Sequence, residues 1–162
     1  MSSSVWHPDK LPGILAHHRQ LVEHAWHLTI TSCLYADRNR IFYALTIPEY
    51  IEAWFCAPGD SLRQPSVTLT PNGFRIKHCA QLGSEIDIIG SYMMLRRSKL
   101  LFTWQRNLIP NGPTSLVLIR LYGEFAWTRV CLYHVGLKSL DEQEWHQEMW
   151  KASLNKLSGI FK

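Results

Sequence analysis

The sequence has few charged residues, no C-x-x-C cysteine pair and no long apolar run, and each absence excludes a class of protein. Charged residues make up 19% of the 162 residues and hydrophobic residues 46%, a composition that excludes intrinsic disorder. No apolar stretch approaches the roughly 18 residues of a membrane-spanning helix, so we expect no membrane insertion. The length suits one domain with a sizeable core. The low charge also leaves apolar surface for a homodimer.

Cysteine spacing and the N-terminus indicate the cellular setting. Cys33, Cys56, Cys79 and Cys131 form no C-x-x-C pair, which argues against a structural zinc site. The chain start has no basic residues followed by an apolar run, and so lacks the pattern of a secretory signal. We therefore expect a cytoplasmic protein with free thiols, without a metal or a cofactor.

The positive charge is mild and scattered. The formal net charge is +4 and the sequence pI is about 9.0. The densest basic cluster is Arg96, Arg97 and Lys99, which we interpret as a turn between strands. Nucleic-acid binding would need a continuous basic face or a known motif, so we expect no nucleic-acid partner.

Two segments are predicted along the chain. Residues 1–21 are an N-terminal extension broken by prolines, and residues 22–162 form the folded domain. Period-two alternation from Trp26 predicts a strand. Two short helices follow, over residues 38–45 and 49–54, because Pro48 ends the first and suits the first turn of the second.

In the rest of the domain, apolar residues first alternate with polar ones, as in strands, and then recur at helical spacing. Residues 66–135 carry strand patterns separated by turn residues, which predicts six strands in a meander, with Gly123 and Glu124 in the last turn. Ser139 then caps a helix of about five turns whose apolar stripe must be buried against the sheet. The stripe comprises His146, Met149, Trp150, Ser153, Leu154, Leu157, Ile160 and Phe161. The predicted fold class is α+β.

Four segments within residues 23–161 carry a family resemblance. They are Ile41–Glu49 leading to Trp54-Phe55, Gly90-Ser91-Tyr92 followed by Leu100–Trp104, the alternating stretch Thr128–Leu137, and His146 with Trp150, Leu154 and Leu157. In this order they resemble the START-like superfamily. More narrowly, they resemble the homologues of the activator of the 90 kDa heat-shock protein's ATPase.

The resemblance implies a helix-grip fold, in which a curved antiparallel sheet of six or seven strands wraps around the C-terminal helix. A cavity lies between sheet and helix, and in the superfamily it holds lipids, sterols, polyketides or hormones. A few members are enzymes. The heat-shock activator has an additional N-terminal domain that this chain has no room for, so we do not carry its activity over.

Candidate cavity residues come from the aromatic residues and from the helix stripe. They are Trp54, Phe55, Phe74, Ile76, Tyr92, Trp104, Val130, Leu132, Tyr133, His134, His146, Trp150 and Leu154. A void lined by aromatic side chains favours a hydrophobic or aromatic small molecule.

His134 and His146 are the leading polar candidates. His134 shares a strand face with Val130 and Leu132, and His146 lies on the helix stripe, so the two are expected to meet at one end of the cavity. One interpretation is a general base in an enzyme of the polyketide cyclase or aromatase type. The other is a buried pair that fixes the helix. We favour the second and assign no catalytic residue, which leaves a non-catalytic binding protein as the main prediction and a stress-related interaction module as a further alternative.

Two other clusters are interpreted as structural. Glu85 and Asp87 share a strand face and are expected to pair with Arg75 or Lys77 rather than to perform acid–base chemistry. His24 and His27 have opposite strand parity, so they cannot face one metal ion on a regular strand.

Overall fold

The computed structural model describes residues 26–58, 64–79, 85–106 and 114–162. The extension predicted over residues 1–21 lies outside these ranges. The described elements, in chain order, are β1 (Trp26–Leu34), α1 (Arg38–Thr46), α2 (Pro48–Trp54), β2 (Ser66–Thr70), β3 (Gly73–Cys79), β4 (Glu85–Arg96), β5 (Lys99–Arg106), β6 (Ser115–Glu124), β7 (Trp127–Leu137) and α3 (Leu140–Ile160).

The strands form one antiparallel sheet in the order β1-β7-β6-β5-β4-β3-β2. Strands β2 to β7 follow one another as the predicted meander, and β1 joins beside β7 at the far edge. Helix α3 packs against β1 and α2 inside the curved sheet. The predicted α+β helix-grip fold is thereby confirmed. None of the helices within the described ranges combines the length and the apolar composition that a membrane span requires.

The helix boundaries follow from their capping residues. Asp37 accepts a hydrogen bond from the Arg40 amide at 3.0 Å, and Pro48 occupies the first turn of α2. Ser139 accepts from the Glu142 amide at 3.2 Å at the start of α3. The Asp37 and Ser139 side chains satisfy amides that a helix start leaves free, and Pro48 has no N–H that would need a partner there. Each helix start is therefore visible in the sequence.

The two sheet faces carry different clusters of apolar side chains. The inner face forms the main core with α1, α2 and α3, in which Met149 and Leu157 of the predicted stripe are fully buried. On the outer face, a smaller buried cluster comprises Leu101, Leu116, Leu118 and Val135. The sheet is therefore apolar on both sides in its centre.

The predicted turn at Gly123 and Glu124 was wrong. Strand β6 continues through both residues, and the turn lies at Phe125 and Ala126. Gly123 pairs with Thr128 in the sheet, and a Cβ built on it would lie 2.9 Å from the Cβ of Arg38. The glycine therefore permits the close approach of α1 to β6 rather than a change of direction.

The predicted carboxylate pairing is confirmed for one of the two acids. Arg75 Nε donates to Asp87 Oδ1 at 2.9 Å across the β3–β4 pair. This hydrogen bond, and the charge of the guanidinium, hold the pKa of Asp87 below its usual value. Asp87 is thereby a structural ion-pair partner.

Gly90 provides the first testable prediction. It lies opposite Phe74, and a Cβ built on it would collide with that ring and lie 2.8 Å from the backbone oxygen of Thr103. We expect Gly90→Ala to lower the free energy of unfolding by about 1–3 kcal/mol, because backbone and ring must both shift. Gly159→Ala is the matched control, since nothing lies within 4 Å of its Cβ position and alanine favours a helix by up to about 1 kcal/mol. Equal urea midpoints for the two variants would contradict the prediction.

Candidate functional site

His134 of β7 and His146 of α3 meet inside the core, as expected. Their ring centroids lie 4.7 Å apart with an interplanar angle of 81°. His134 faces inward because it follows Val130 and Leu132 at period two on β7. His146 lies one helical turn before Trp150 on the buried stripe of α3.

The hydrogen bonds of His134 fix its tautomer. Trp150 Nε1 donates to His134 Nδ1 at 3.0 Å, so this nitrogen carries no proton. The Ser115 hydroxyl donates to the Trp104 carbonyl at 3.0 Å and lies 2.8 Å from His134 Nε2. Since that hydroxyl proton is already used, the serine accepts from His134, which is therefore neutral with its proton on Nε2.

His146 takes the opposite tautomer for the same kind of reason. Trp104 Nε1 donates to His146 Nε2 at 3.1 Å, and His146 Nδ1 lies 2.7 Å from the Glu142 carbonyl oxygen. A carbonyl only accepts, so the proton is on Nδ1. All four ring nitrogens of the two histidines are thus engaged, and the network ties α3 to β5, β6 and β7.

Both histidines are held neutral. Burial lowers the pKa of His134 well below its usual value, and the neighbouring His146 lowers it further. Burial also lowers the pKa of His146 to about 4, with a smaller contribution from Arg106, against the hydrogen bond to Glu142. A proton added to either ring would face an indole N–H. The pair therefore has no basic lone pair to offer a substrate.

A small apolar void lies next to this pair, between the sheet, α1, α2 and α3. Its volume is about 20 Å³, and about 10–15 Å³ is the space that one water needs. The wall comprises Leu45, Ile51, Trp54, Phe55, Phe74, Ile76, Tyr92, Phe102, Trp104, Ile119 and Trp150. We call this set the aromatic wall.

The aromatic wall contains seven of the predicted cavity residues: Trp54, Phe55, Phe74, Ile76, Tyr92, Trp104 and Trp150. The predicted Val130, Leu132, His134, His146 and Leu154 are buried in the surrounding core and do not line the void.

One candidate was placed on the wrong face. Tyr133 lies between the inward-facing Leu132 and His134 on β7, so its side chain belongs to the outer cluster. The alternation of β7 was itself the signal that excludes Tyr133 from the cavity.

Four wall residues were missed: Leu45, Ile51, Phe102 and Ile119. Phe102 was available from the sequence, because it alternates with Trp104 on β5 and therefore shares its face. Leu45 and Ile51 lie on two different helices, and their meeting over the sheet depends on tertiary packing.

Tyr92 is the wall residue nearest the solvent. The other wall residues are buried, whereas Tyr92 is partly exposed. Its ring packs at 5.6 Å from Phe74 and 5.9 Å from Phe102, between centroids. Burial of its inner part raises the pKa of the phenol to about 12, so the hydroxyl is a neutral donor and acceptor at physiological pH.

Hydrogen bonds fix the opposite side of the wall. Trp54 Nε1 donates to the Ala44 carbonyl at 2.7 Å. The Ser153 hydroxyl of α3 accepts from the Cys56 amide at 3.0 Å and lies 3.2 Å from the Cys56 carbonyl. These bonds anchor α2 to α1 and α3, so Tyr92 on β4 is the less restrained part of the wall.

Within the described ranges, no three His, Cys, Asp or Glu side chains are grouped closely enough to hold a metal ion. His27 is described, but His24 lies outside the described residues. The arrangement of described side chains thus offers an apolar pocket and a buried polar anchor.

The fold and the helix–sheet pocket define a START-like helix-grip protein. The model of the family "Activator of Hsp90 ATPase homolog 1-like protein" matches residues 35–162, and the chain belongs to this family. A search of curated proteins found no match.

Solved structures show the same fold at low sequence identity. A protein from Chromobacterium violaceum is 16% identical with a TM-score of 0.72, over 83% of this chain and 96% of that one. The AHSA1 protein from Silicibacter pomeroyi is 18% identical with a TM-score of 0.68, over 83% and 96%. CalU16 from Micromonospora echinospora is 22% identical with a TM-score of 0.59, over 85% and 76%.

Proposed function

We propose that this protein is a non-catalytic binding protein that takes a hydrophobic or aromatic small molecule between the sheet and α3. The aromatic wall is the observation that carries the proposal. It has seven aromatic and four aliphatic side chains and no charged one. Walls of this composition favour apolar and aromatic ligands through buried area and ring stacking.

The size of the void determines how a ligand enters. Pockets for drug-sized molecules measure about 300–1,000 Å³, so a void of about 20 Å³ must expand on binding. Tyr92 is the side chain best placed to move, because it is partly exposed and closes the space beside Phe74 and Phe102. Its outward rotation connects the void to solvent, and other wall side chains shift as the ligand fills it.

One polar group remains available to the ligand. The indole N–H groups of Trp54, Trp104 and Trp150 are engaged by Ala44, His146 and His134. In the described wall, this leaves the Tyr92 hydroxyl as the polar side-chain group that can bond a ligand. The expected ligand is therefore a flat apolar molecule with a single hydroxyl or carbonyl near one end.

The enzymatic alternative has less support. A cyclase or aromatase using His134 or His146 as base needs a free ring nitrogen facing the substrate. All four ring nitrogens are hydrogen-bonded to protein groups, and neither histidine lines the void. We therefore favour binding over catalysis.

The remaining expectations stay predictions. A stress-related interaction role rests on the family resemblance, and a homodimer on the low charge. Cys33 and Cys131 are free thiols, which supports a cytoplasmic location.

The test is titration with the neutral dye N-phenyl-1-naphthylamine, followed by dye fluorescence and by quenching of the wall tryptophans. We expect binding by the wild type and at least about tenfold weaker binding by Ile119→Phe, whose larger ring occupies the void. Ile160→Phe, at an exposed position of α3, is the control for added hydrophobic surface. Circular dichroism establishes that each variant is folded.

Two results would overturn the proposal. One is failure of the dye to bind either the wild type or Tyr92→Ala, in which the entrance is open. The other is equal binding by Ile119→Phe and the wild type, which would place the dye elsewhere. Native mass spectrometry of the purified protein then identifies any co-purified ligand.

A further inference from the structure

A second cleft lies beside the β6–β7 hairpin and shares no lining residue with the aromatic wall. Strand β5 begins at Lys99, opposite Arg120, whereas β6 and β7 continue together to their turn. The space beside this projecting hairpin has a volume of about 600 Å³. Its charged and aromatic lining comprises Arg38, Lys99, Arg120, Tyr122, Trp127 and Arg129. We call it the basic cleft.

Positively charged side chains at and beside the basic cleft lie directly opposite one another on neighbouring strands. Arg96 is paired directly with Lys99 across β4 and β5, and Lys99 directly with Arg120 across β5 and β6. Like charges directly opposite on neighbouring strands destabilise a sheet. Arg129 adds a further positive charge, stacked at 4.9 Å on the Tyr122 ring.

No carboxylate neutralises these groups within the described part of the chain. The ion pairs among the described residues join Arg75 to Asp87 and Arg106 to Glu142. Moreover, Arg120 Nε is buried without a hydrogen-bond partner. Buried donors in proteins nearly always have a partner, so protein groups alone do not satisfy the Arg120 guanidinium.

We propose that the basic cleft binds a phosphorylated small molecule. Phosphoryl oxygens accept paired hydrogen bonds from guanidinium groups and carry the multiple negative charges that four clustered cations require. The volume lies within the range of small-molecule pockets, about 300–1,000 Å³. Tyr122 and Trp127 provide an apolar side for the organic part. The cleft is compact rather than a long basic face, which disfavours nucleic acid.

Pyrophosphate is the probe, measured by isothermal titration calorimetry at constant ionic strength. We expect Arg120→Gln and Lys99→Gln each to weaken binding about tenfold or more, as for the loss of one charge-assisted hydrogen bond. Lys156→Gln, exposed on α3, removes the same charge elsewhere and should leave the affinity within about twofold. Pyrophosphate should also raise the melting temperature of the wild type but not that of Arg120→Gln.

A second experiment distinguishes a free phosphorylated molecule from a lipid headgroup. Sedimentation with phosphatidylcholine vesicles containing phosphatidylinositol phosphate tests a lipid headgroup. Retention on vesicles without binding of free pyrophosphate would overturn the small-molecule proposal. So would absence of pyrophosphate binding, or equal losses in Arg120→Gln and Lys156→Gln, which would show general charge screening only. None of these results bears on dye binding at the aromatic wall.

Discussion

Replacing Trp104 by alanine is expected to lower the free energy of unfolding by about 3–5 kcal/mol, the usual cost of removing a buried aromatic ring. Trp104 is 2% exposed, and its ring lies 5.1 Å from that of Trp150 and 6.3 Å from that of His146, between centroids. Whole domains are stable by only about 5–15 kcal/mol. The variant should therefore be close to unfolding at 37 °C.

Trp104→Phe distinguishes the contribution of the buried ring to stability from that of its hydrogen bond. Phenylalanine keeps most of the apolar volume but leaves His146 Nε2 buried without a donor, which costs about 1–3 kcal/mol. Trp26→Ala is the matched control, because Trp26 is 44% exposed and such surface changes cost about 0.5 kcal/mol. Urea unfolding at pH 7 measures all three. A loss for Trp104→Ala no larger than that for Trp26→Ala would show that the tryptophan–histidine network does not hold α3 in place.

The meeting of the two histidines could be predicted from the sequence because it follows from two periodicities. Period two on β7 turns His134 inward, and spacings of three and four on α3 place His146 on the buried stripe. Once sheet and helix face each other, the two rings must lie in the same layer. The tautomers could not be predicted, since they depend on Ser115 and Trp104, which come from strands far away in the sequence.

The size of the void could not be predicted from the sequence for a different reason. Composition supplies enough aromatic volume for a wall, but whether that volume leaves space depends on how Trp54, Phe74 and Trp104 interdigitate. Interiors pack at the density of organic crystals, so shifts of a few tenths of an ångström decide between a filled core and a pocket. The sequence therefore names seven of the residues around this space, but the size of the space depends on how they pack.

The basic cleft combines residues from several segments of the chain, so no single segment predicts it. Arg96, Arg97 and Lys99 look like an ordinary solvated turn in the sequence. Only the strand register brings Arg120 opposite Lys99, and only the position of α1 over Gly123 adds Arg38 to the cleft. Charge accumulation across strands is a tertiary property that sequence proximity does not reveal.

Acid should destabilise the protein well before its carboxylates are protonated. Burial lowers the pKa of His146 from 6.5 to about 4 in the folded protein, whereas the unfolded chain protonates it near its ordinary value. The unfolded state then binds more protons than the folded state over this range. The free energy of unfolding is therefore highest above pH 6.5 and decreases as the pH drops toward 4. The expected loss from His146 is about 3 kcal/mol, at 1.36 kcal/mol per pKa unit. His134, whose pKa is lowered too, acts in the same direction.

Urea unfolding between pH 7 and pH 4.5 measures this loss, and His146→Gln tests its origin. The glutamine oxygen can accept from Trp104 but takes up no proton in this range. The slope of the free energy of unfolding against pH should therefore decrease by the equivalent of about one bound proton. His27→Gln is the matched control: burial lowers the pKa of His27 as well, but this residue is only partly buried, and its removal should change the slope less. A wild-type stability that stays constant from pH 7 to pH 5 would mean that His146 accepts a proton without cost. It would then have a usable lone pair, and catalysis by this histidine would be as well supported as ligand binding.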